Sequence, residues 1–406
     1  MYQIYDEIIN PIKVLFVYFR PYKSFQVIRL NPYLHNMKIL LLESFYTSSH
    51  KHWVDGLISN SKHTIHLLSL PGRHWKWRMH HAGLHFAQKV VELDIEYDII
   101  LCSDLMNVAE FRGLLHKNGH HNSWYNTIPI GTYFHENQIT YPWSDTDPDV
   151  RLKRDNHYGW INYMTCESSD FTLFNSKYHL DIFYGSLPKF LGQFPGTKIR
   201  KSRVDQLKKS AKFLPIGLHI NELIVKDKPS NTSPVILWNH RWEYDKNPTL
   251  FFETLFDLKA KGIPFQLIIL GEKYKAYPSI FDKASNLLKD EIIHFGFAES
   301  REMYLELLLK ADIVPVTSNQ DFFGISAVEA IAAGAIPILP NRLAFPEHLD
   351  FEKFKKYYYN TDQEFYSILK KMITSFPQRD EGARNYISKY DWENVVNLYD
   401  DYFEKL

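Results

Sequence analysis

Cysteine is nearly missing from this chain: Cys102 and Cys166 are the only two in 406 residues. Two thiols cannot build a disulfide framework or, by themselves, a zinc site, and they fit a reducing, cytoplasmic setting. A charge excess is missing too, since 47 Lys and Arg balance 47 Asp and Glu. The whole-chain charge therefore gives no sign of a nucleic-acid partner. Long apolar runs are absent as well. The patch 14–19 is too short to cross a bilayer, and no small-residue cleavage site follows it, so no stable membrane insertion is expected. There is no G-x-x-x-x-G-K-[ST] loop and no G-x-G-x-x-G after the first strand of the α/β pattern, which argues against P-loop and nicotinamide chemistry. Neither H-E-x-x-H nor G-x-S-x-G occurs, which argues against a zinc protease and a serine hydrolase. No metal cluster is evident, so no metal is expected.

What is present is a globular composition, 45% hydrophobic and 16% aromatic, in a length that suits two domains. Residues 1–36 read as an N-terminal extension with little or no defined structure. A competing reading is a membrane-associating arm, given four Lys/Arg against two acids there. From Met37 strands and helices alternate. Strands are predicted at 38–42, 63–70, 97–103, 129–134 and 171–175, with a helix over 75–91. The polar segment 226–233 reads as a linker, after which alternation restarts with strands at 235–238, 265–270, 292–295, 313–317 and 336–339. The expected fold class is α/β, with two doubly wound Rossmann-like domains facing a central cleft: 37–225, 226–390, and a closing helix 391–406 that packs back across them.

The stretch 318–340, SNQDFFGISAVEAIAAGAIPILP, organises the second half. Gly324 lets the main chain turn sharply and a ligand approach it. Helical periodicity starts at Ile325, so the helix opens its free N–H groups there, a seat for phosphate. Asp321 precedes that seat and Glu329 lies about two turns inside the helix; such a pair can hold sugar hydroxyls on either side. Any strand–helix unit of a doubly wound sheet offers a similar loop, and that reading stays open. Arg241 and Lys246 follow the strand 235–238 at a helix start, where fixed cations can stabilise a departing diphosphate more than the ground state. Glu272 and Phe297 follow glycines at two further strand ends, where backbone groups and a flat side chain can read a base. From the first half, His135 follows a strand directly and can reach a sugar hydroxyl or a reacting oxygen. Ser103, Asp104, Asn107 and Glu110 form a polar edge that holds an acceptor or merely caps a helix. The loop 47–50 lies where small residues meet a ligand. Between Leu187 and Phe213 eight Lys/Arg stand against one Asp. That run is a solvated face or a patch for a phosphate backbone.

Asp321 and Glu329 together resemble the acidic E-x7-E motif of retaining glycosyltransferases of family four, which have the GT-B fold. Several segments are similar to a narrower group, the tRNA-queuosine α-mannosyltransferases: ESFYTSSHKHWVDGL (43–57), GTYFHENQITYPW (131–143), FNSKYHLDIF (174–183), WNHRWEYDKNP (238–248), HFGFAESREMY (294–304) and DFFGISAVEAIAAGAIPILPNRLAFPE (321–347). The resemblance implies transfer of mannose from GDP-mannose, a substrate rather than a cofactor, to the cyclopentene-diol of queuosine in tRNA-Asp, with retention and without metal. It implies that His135 touches the donor sugar, Arg241 and Lys246 hold the diphosphate, and Asp321 contacts the sugar. Glu329 would bind the ribose, while Gly324 and Ile325 offer N–H groups to phosphate. Asp321 is one methylene shorter than the Glu usual there, and Thr47-Ser48 replaces a glycine pair. Two alternatives stand beside this: a transferase acting on a lipid or surface glycan, and a non-catalytic tRNA-binding member.

Overall fold

The computed structural model describes residues 4–9, 12–19, 24–29, 36–93, 95–119, 123–144, 147–195, 201–224, 231–273, 277–376 and 379–406. Strands β1 (Ile4–Ile9), β2 (Ile12–Phe19) and β3 (Ser24–Arg29) pair antiparallel in a sheet of their own. The extension is thus not devoid of structure. Its strands are rich in Ile, Val, Phe and Tyr, which suit a pleated surface.

Two parallel six-stranded sheets carry the rest. The first contains β4 (Lys38–Tyr46), β5 (Thr64–Pro71), β6 (Ile99–Ser103), β7 (Ile130–Phe134), β8 (Phe171–Phe174) and β9 (Ala211–Phe213), in the order β5-β4-β6-β7-β8-β9. The second contains β10 (Val235–Asn239), β11 (Gln266–Leu270), β12 (Ile292–Gly296), β13 (Ile313–Pro315), β14 (Ile336–Pro340) and β15 (Tyr358–Tyr359), in the order β12-β11-β10-β13-β14-β15. The central strands are apolar without alternation because helices cover both faces; Ile39–Leu42, Ile99–Cys102 and Val235–Trp238 are all buried. Strand order reverses between β4 and β6 and again between β10 and β13. Loops diverge at such switch points and leave a crevice at the carboxyl ends of the strands. The proposed linker falls largely on 225–230, outside the described residues.

The helix Trp392–Phe403 returns to the first sheet's side. Its entry is tied by a parallel bridge, with Leu218 N–H donating to Tyr390 C=O at 2.8 Å and Trp392 N–H to Leu218 C=O at 3.0 Å. Trp53 Nε1 donates to Tyr399 OH at 2.9 Å, and Ser61 Oγ donates to Asp400 Oδ1 at 2.6 Å. Trp392 fits only because Gly56 and Gly217 carry no side chain: a Cβ on either would come within 2.1–2.2 Å of the indole. One continuous core joins Ile39 and Trp53 of the first unit, Trp238 and Phe251 of the second, and Trp392 and Tyr399 of this helix. Trp392→Ala should therefore cost about 3–5 kcal/mol, read as a lower urea midpoint at unchanged slope.

Candidate active site

The second sheet supplies its loops from both sides of its switch point. After β10 the chain reaches Lys246, whose buried Nζ donates to Gln320 C=O at 2.6 Å and to Asp321 Oδ1 at 3.0 Å. Asp245 Oδ2 lies 3.1 Å from the same Nζ. The loops after β10 and β13 are thereby clamped together, and Thr317 Oγ1 adds a bond to Lys246 C=O at 2.8 Å. Burial pushes the Asp321 carboxyl up, but Lys246 and His240 together hold it below its ordinary value. Burial lowers His240 to about 4, so its ring is neutral. Asp321 is ionised and already paired, and Lys246 is engaged by Gln320, Asp321 and Asp245, so an anionic ligand would compete with these partners for it.

Gly324 has φ +90° and heads the helix Ile325–Ala332, whose first N–H groups have no acceptor within the helix. A side chain at Gly324 would meet Phe345 at 2.8 Å. Glu329 is buried deeper, accepting from Arg301 Nη1 at 3.0 Å and Tyr304 OH at 2.6 Å. Asn239 Nδ2 in turn donates to Tyr304 OH at 2.9 Å, which fixes Glu329 beside the end of β10. Arg241 sits at the rim, half exposed, 3.2 Å from Glu243. Glu272 is exposed at the end of β11 and its C=O accepts from Trp242 N–H at 3.1 Å. Phe297 follows Gly296 at the end of β12 with 68% of its surface exposed. These two stand on neighbouring strands, apart from the Lys246–Asp321 clamp.

The first sheet contributes a buried polar cluster. His135 follows β7 and is buried, and neither ring nitrogen has a hydrogen-bond partner. Its backbone N–H donates to Asp104 Oδ1 at 3.1 Å, and Glu136 N–H donates to Oδ2 at 3.3 Å. Its C=O accepts from Asn175 Nδ2 at 2.8 Å. The ring stacks on His50 at 4.0 Å between centroids, and Trp53 and Tyr133 approach edge-on at 4.9 and 4.8 Å. His50 Nδ1 lies 3.2 Å from Glu43 Oε1. Burial alone would lower His50, yet Glu43, with Asp104 and Glu136, raises it to about 9, so it is a cation. Burial and that neighbouring cation keep His135 neutral, well below its ordinary value. Burial raises Asp104 to about 7, against the opposing pull of His50.

The first sheet's loops thus bring a neutral imidazole and the second sheet's loops a lysine–carboxylate clamp. Contacts between the walls are direct. Ser176 Oγ donates to Phe322 C=O at 2.6 Å, and the Phe322 ring stacks on His179 at 4.0 Å. Tyr141 OH donates to Asp245 Oδ2 at 3.2 Å and Tyr244 OH to Pro142 C=O at 2.7 Å.

The sequence singles out His135, Lys246, Asp321, Gly324, Ile325 and Glu329, and the fold brings them to facing loops. Glu43 and His50 as a pair, and Phe322 as the inter-domain contact, are not found by spacing. Asn107 takes the capping option, accepting from Glu110 N–H at 3.1 Å. The basic run 187–213 forms in part the helix Lys201–Lys209, where Arg203 contacts Glu167 at 2.7 Å and Lys208 contacts Asp181 at 2.8 Å; residues 196–200 lie outside the described ones. Among the described residues, Glu43, His50 and His135 are the group whose ligand atoms, within 4.8 Å of one another, suit a metal. Two of the three are already joined as an ion pair, and Glu43 Oε1 also accepts from Phe45 N–H at 2.7 Å.

Two Rossmann-like units, a switch point in each and a return helix make up a GT-B architecture. Solved structures agree on the fold: Arabidopsis thaliana starch synthase IV bound to ADP and acarbose superposes with a TM-score of 0.67 at 11% identity, over 91% of this chain and 99% of that one. Anabaena HepE in complex with UDP gives a TM-score of 0.59 at 15% identity, over 91% and 100%. The model of the tRNA-queuosine alpha-mannosyltransferase N-terminal region matches residues 38–218, and that of glycosyl transferases group 1 matches 220–363. The tRNA-queuosine alpha-mannosyltransferase of Drosophila melanogaster is 32% identical over 90% of this chain and 96% of its own. This chain belongs to the tRNA-queuosine alpha-mannosyltransferase family. The GDP-mannose:cellobiosyl-diphosphopolyprenol alpha-mannosyltransferase of Xanthomonas oryzae pv. oryzae (strain PXO99A) is 30% identical over 42% of this chain and 47% of its own.

The buried cluster sets a pH signature. A histidine raised from 6.5 to about 9 on folding adds stability that is complete below pH 6.5 and is lost as pH rises through about 9. Asp104, raised from 3.8 to about 7, acts in the same direction at lower pH. Melting temperature should fall as pH rises from 6.5 to about 9, and His50→Gln should melt lower at pH 6.5 with a flatter profile. A variant profile parallel to wild type would rule out the Glu43–His50 pair as its source.

Proposed function

We propose that this enzyme transfers mannose from GDP-mannose to the cyclopentene-diol of queuosine in the anticodon of tRNA-Asp, with retention at the anomeric carbon. The observation that carries this reading is the loop of the Lys246–Asp321 clamp bound through Phe322 to Ser176 beside the His135 cluster, in a chain that matches the Drosophila relative nearly end to end. The donor bond from the anomeric carbon to the diphosphate oxygen breaks, and a bond from that carbon to a queuosine hydroxyl oxygen forms. The hydroxyl proton passes to the departing diphosphate, which leaves as GDP. Lys246 and Arg241, with the N–H groups at Gly324 and Ile325, receive the growing negative charge. Neutral His135 offers a ring nitrogen to a donor-sugar hydroxyl, Asp321 holds another, and Glu329 takes the ribose. Guanine as the base is supported by the Xanthomonas relative, whose name includes GDP-mannose. Glu272 and Phe297 are the side chains proposed to face the base.

The protein's own cations are proposed to do the work of a metal, and the setting is proposed to be cytoplasmic. Among the described residues no helix is long and apolar enough to cross a membrane.

Incubation with GDP-mannose and queuosine-bearing tRNA should shift that tRNA on a boronate gel, because mannosylation alters the diol. Unchanged mobility with every nucleotide sugar tried would sink the proposal. His135→Ala and Lys246→Ala should each lower kcat by about 10²-fold or more while tRNA still binds. Activity should persist in EDTA. Loss restored by a divalent ion would instead assign the Glu43–His50–His135 group as its site.

A further inference from the structure

Between Asp55 and Glu92 the chain has no acidic residue, yet it carries five Lys/Arg and six His. This stretch folds as β5, a tight turn and the helix Trp75–Val91. The turn stands at the carboxyl end of β5, beside the loop that follows β4. Gly72 abuts Thr47 so closely that a Cβ there would lie 2.1 Å from Thr47 Cγ2. His74, at φ +57°, is a non-glycine residue in the left-handed region at the head of the helix.

The basic side chains divide into two sets. Lys76 turns inward, 2.7 Å from Asp147 and over the rings of Trp143 and Tyr158 at 5.1 and 5.6 Å. Arg73, His74 and His81 are exposed. Arg78 donates to Pro71 C=O at 3.1 Å and lies 3.2 Å from His81 Nε2, with no carboxylate partner among the described residues. Between them Trp77 has 70% of its surface exposed, more than any other large hydrophobic side chain described. An indole in water, flanked by guanidinium groups and no acid, has no packing role to explain it.

The helix that carries Trp77 turns its other face toward the buried polar cluster of the first sheet. Trp75 clusters with Phe45 and Trp143, and the Phe45 ring lies 5.8 Å from His50, which stacks on His135. By contrast, Arg203 and Lys208 of the basic run 187–213 are engaged by Glu167 and Asp181.

We propose that Trp77, with Arg73, Arg78 and His81, is the surface on which the RNA acceptor docks. Trp77 stacks an unpaired nucleotide of the anticodon loop, and the two arginines hold flanking phosphates, which presents the neighbouring modified base to His135. The inference rests on the reading of the acceptor as tRNA.

The test uses the full chain and a fluorescently labelled anticodon stem-loop RNA, with affinity measured by anisotropy across a salt series. Trp77→Ala should weaken binding about tenfold. The pair R73Q/R78Q should weaken it and reduce the slope of log K against log salt by roughly 1.4, the value for two single-strand phosphate contacts. GDP affinity and urea midpoint should not change in either, which separates docking from folding. Wild-type affinity and salt slope in both variants, or a loss found instead in K208Q/K209Q, would overturn the docking surface while leaving mannosyl transfer intact. Stem-loop binding that depends on Trp77 in an enzyme that glycosylates no tRNA would uphold the surface and defeat the proposed activity. A wild-type protein that binds no stem-loop and glycosylates no tRNA would defeat both.

Discussion

The seating of Phe322 on His179 governs the geometry of the cleft. A loop can present its side chains in fixed directions only if its backbone is held, and the loop 318–324 is held from both domains. Ser176 takes the Phe322 carbonyl, and Lys246 takes the Gln320 carbonyl. His179 Nδ1 is 2.9 Å from Asn175 Oδ1, and Asn175 grips the carbonyl of His135. One chain of contacts therefore runs from the loop 318–324 to the His135 imidazole. Its aromatic members are buried, so the stack contributes area and shape at once.

The two walls solve the same electrostatic problem in opposite ways. On the second-sheet side a buried cation, Lys246, is held between Asp321 and Asp245. On the first-sheet side a buried carboxylate, Glu43, makes His50 a cation, and burial together with that cation keeps His135 uncharged. Breaking either buried pair strands a charge in a low dielectric, which costs more than the pair contributes.

The alternation of strands and helices is plain in the sequence because central strands of a covered parallel sheet are unbroken apolar runs. The helices 75–91 and 301–310 end where their patterns end. The helix Asn156–Ser168 is hard to find because seven of its residues, from Tyr158 to Cys166, are buried, and it shows no polar stripe. Lys177–Leu191 contains Pro188, which reads as a stop. At the site, strand-end position exposes His135, Lys246 and the acidic pair. Glu43 with His50 needs a strand end and a helix to meet, and only tertiary structure decides that. Phe322 reads as one more apolar residue until its partner in the other domain is known.

The return of the helix Trp392–Phe403 to the first domain has a consequence for how the chain is made. The indole of Trp392 fills the space left by Gly56 and Gly217, and Tyr399 bonds Trp53. The first domain thus lacks part of its core until residues 392–403 have left the ribosome. The second domain, encoded between them, contains all six strands of its sheet earlier. Vectorial synthesis and order of completion are inverted here: the first domain waits, with Trp53 uncovered, for the helix Trp392–Phe403.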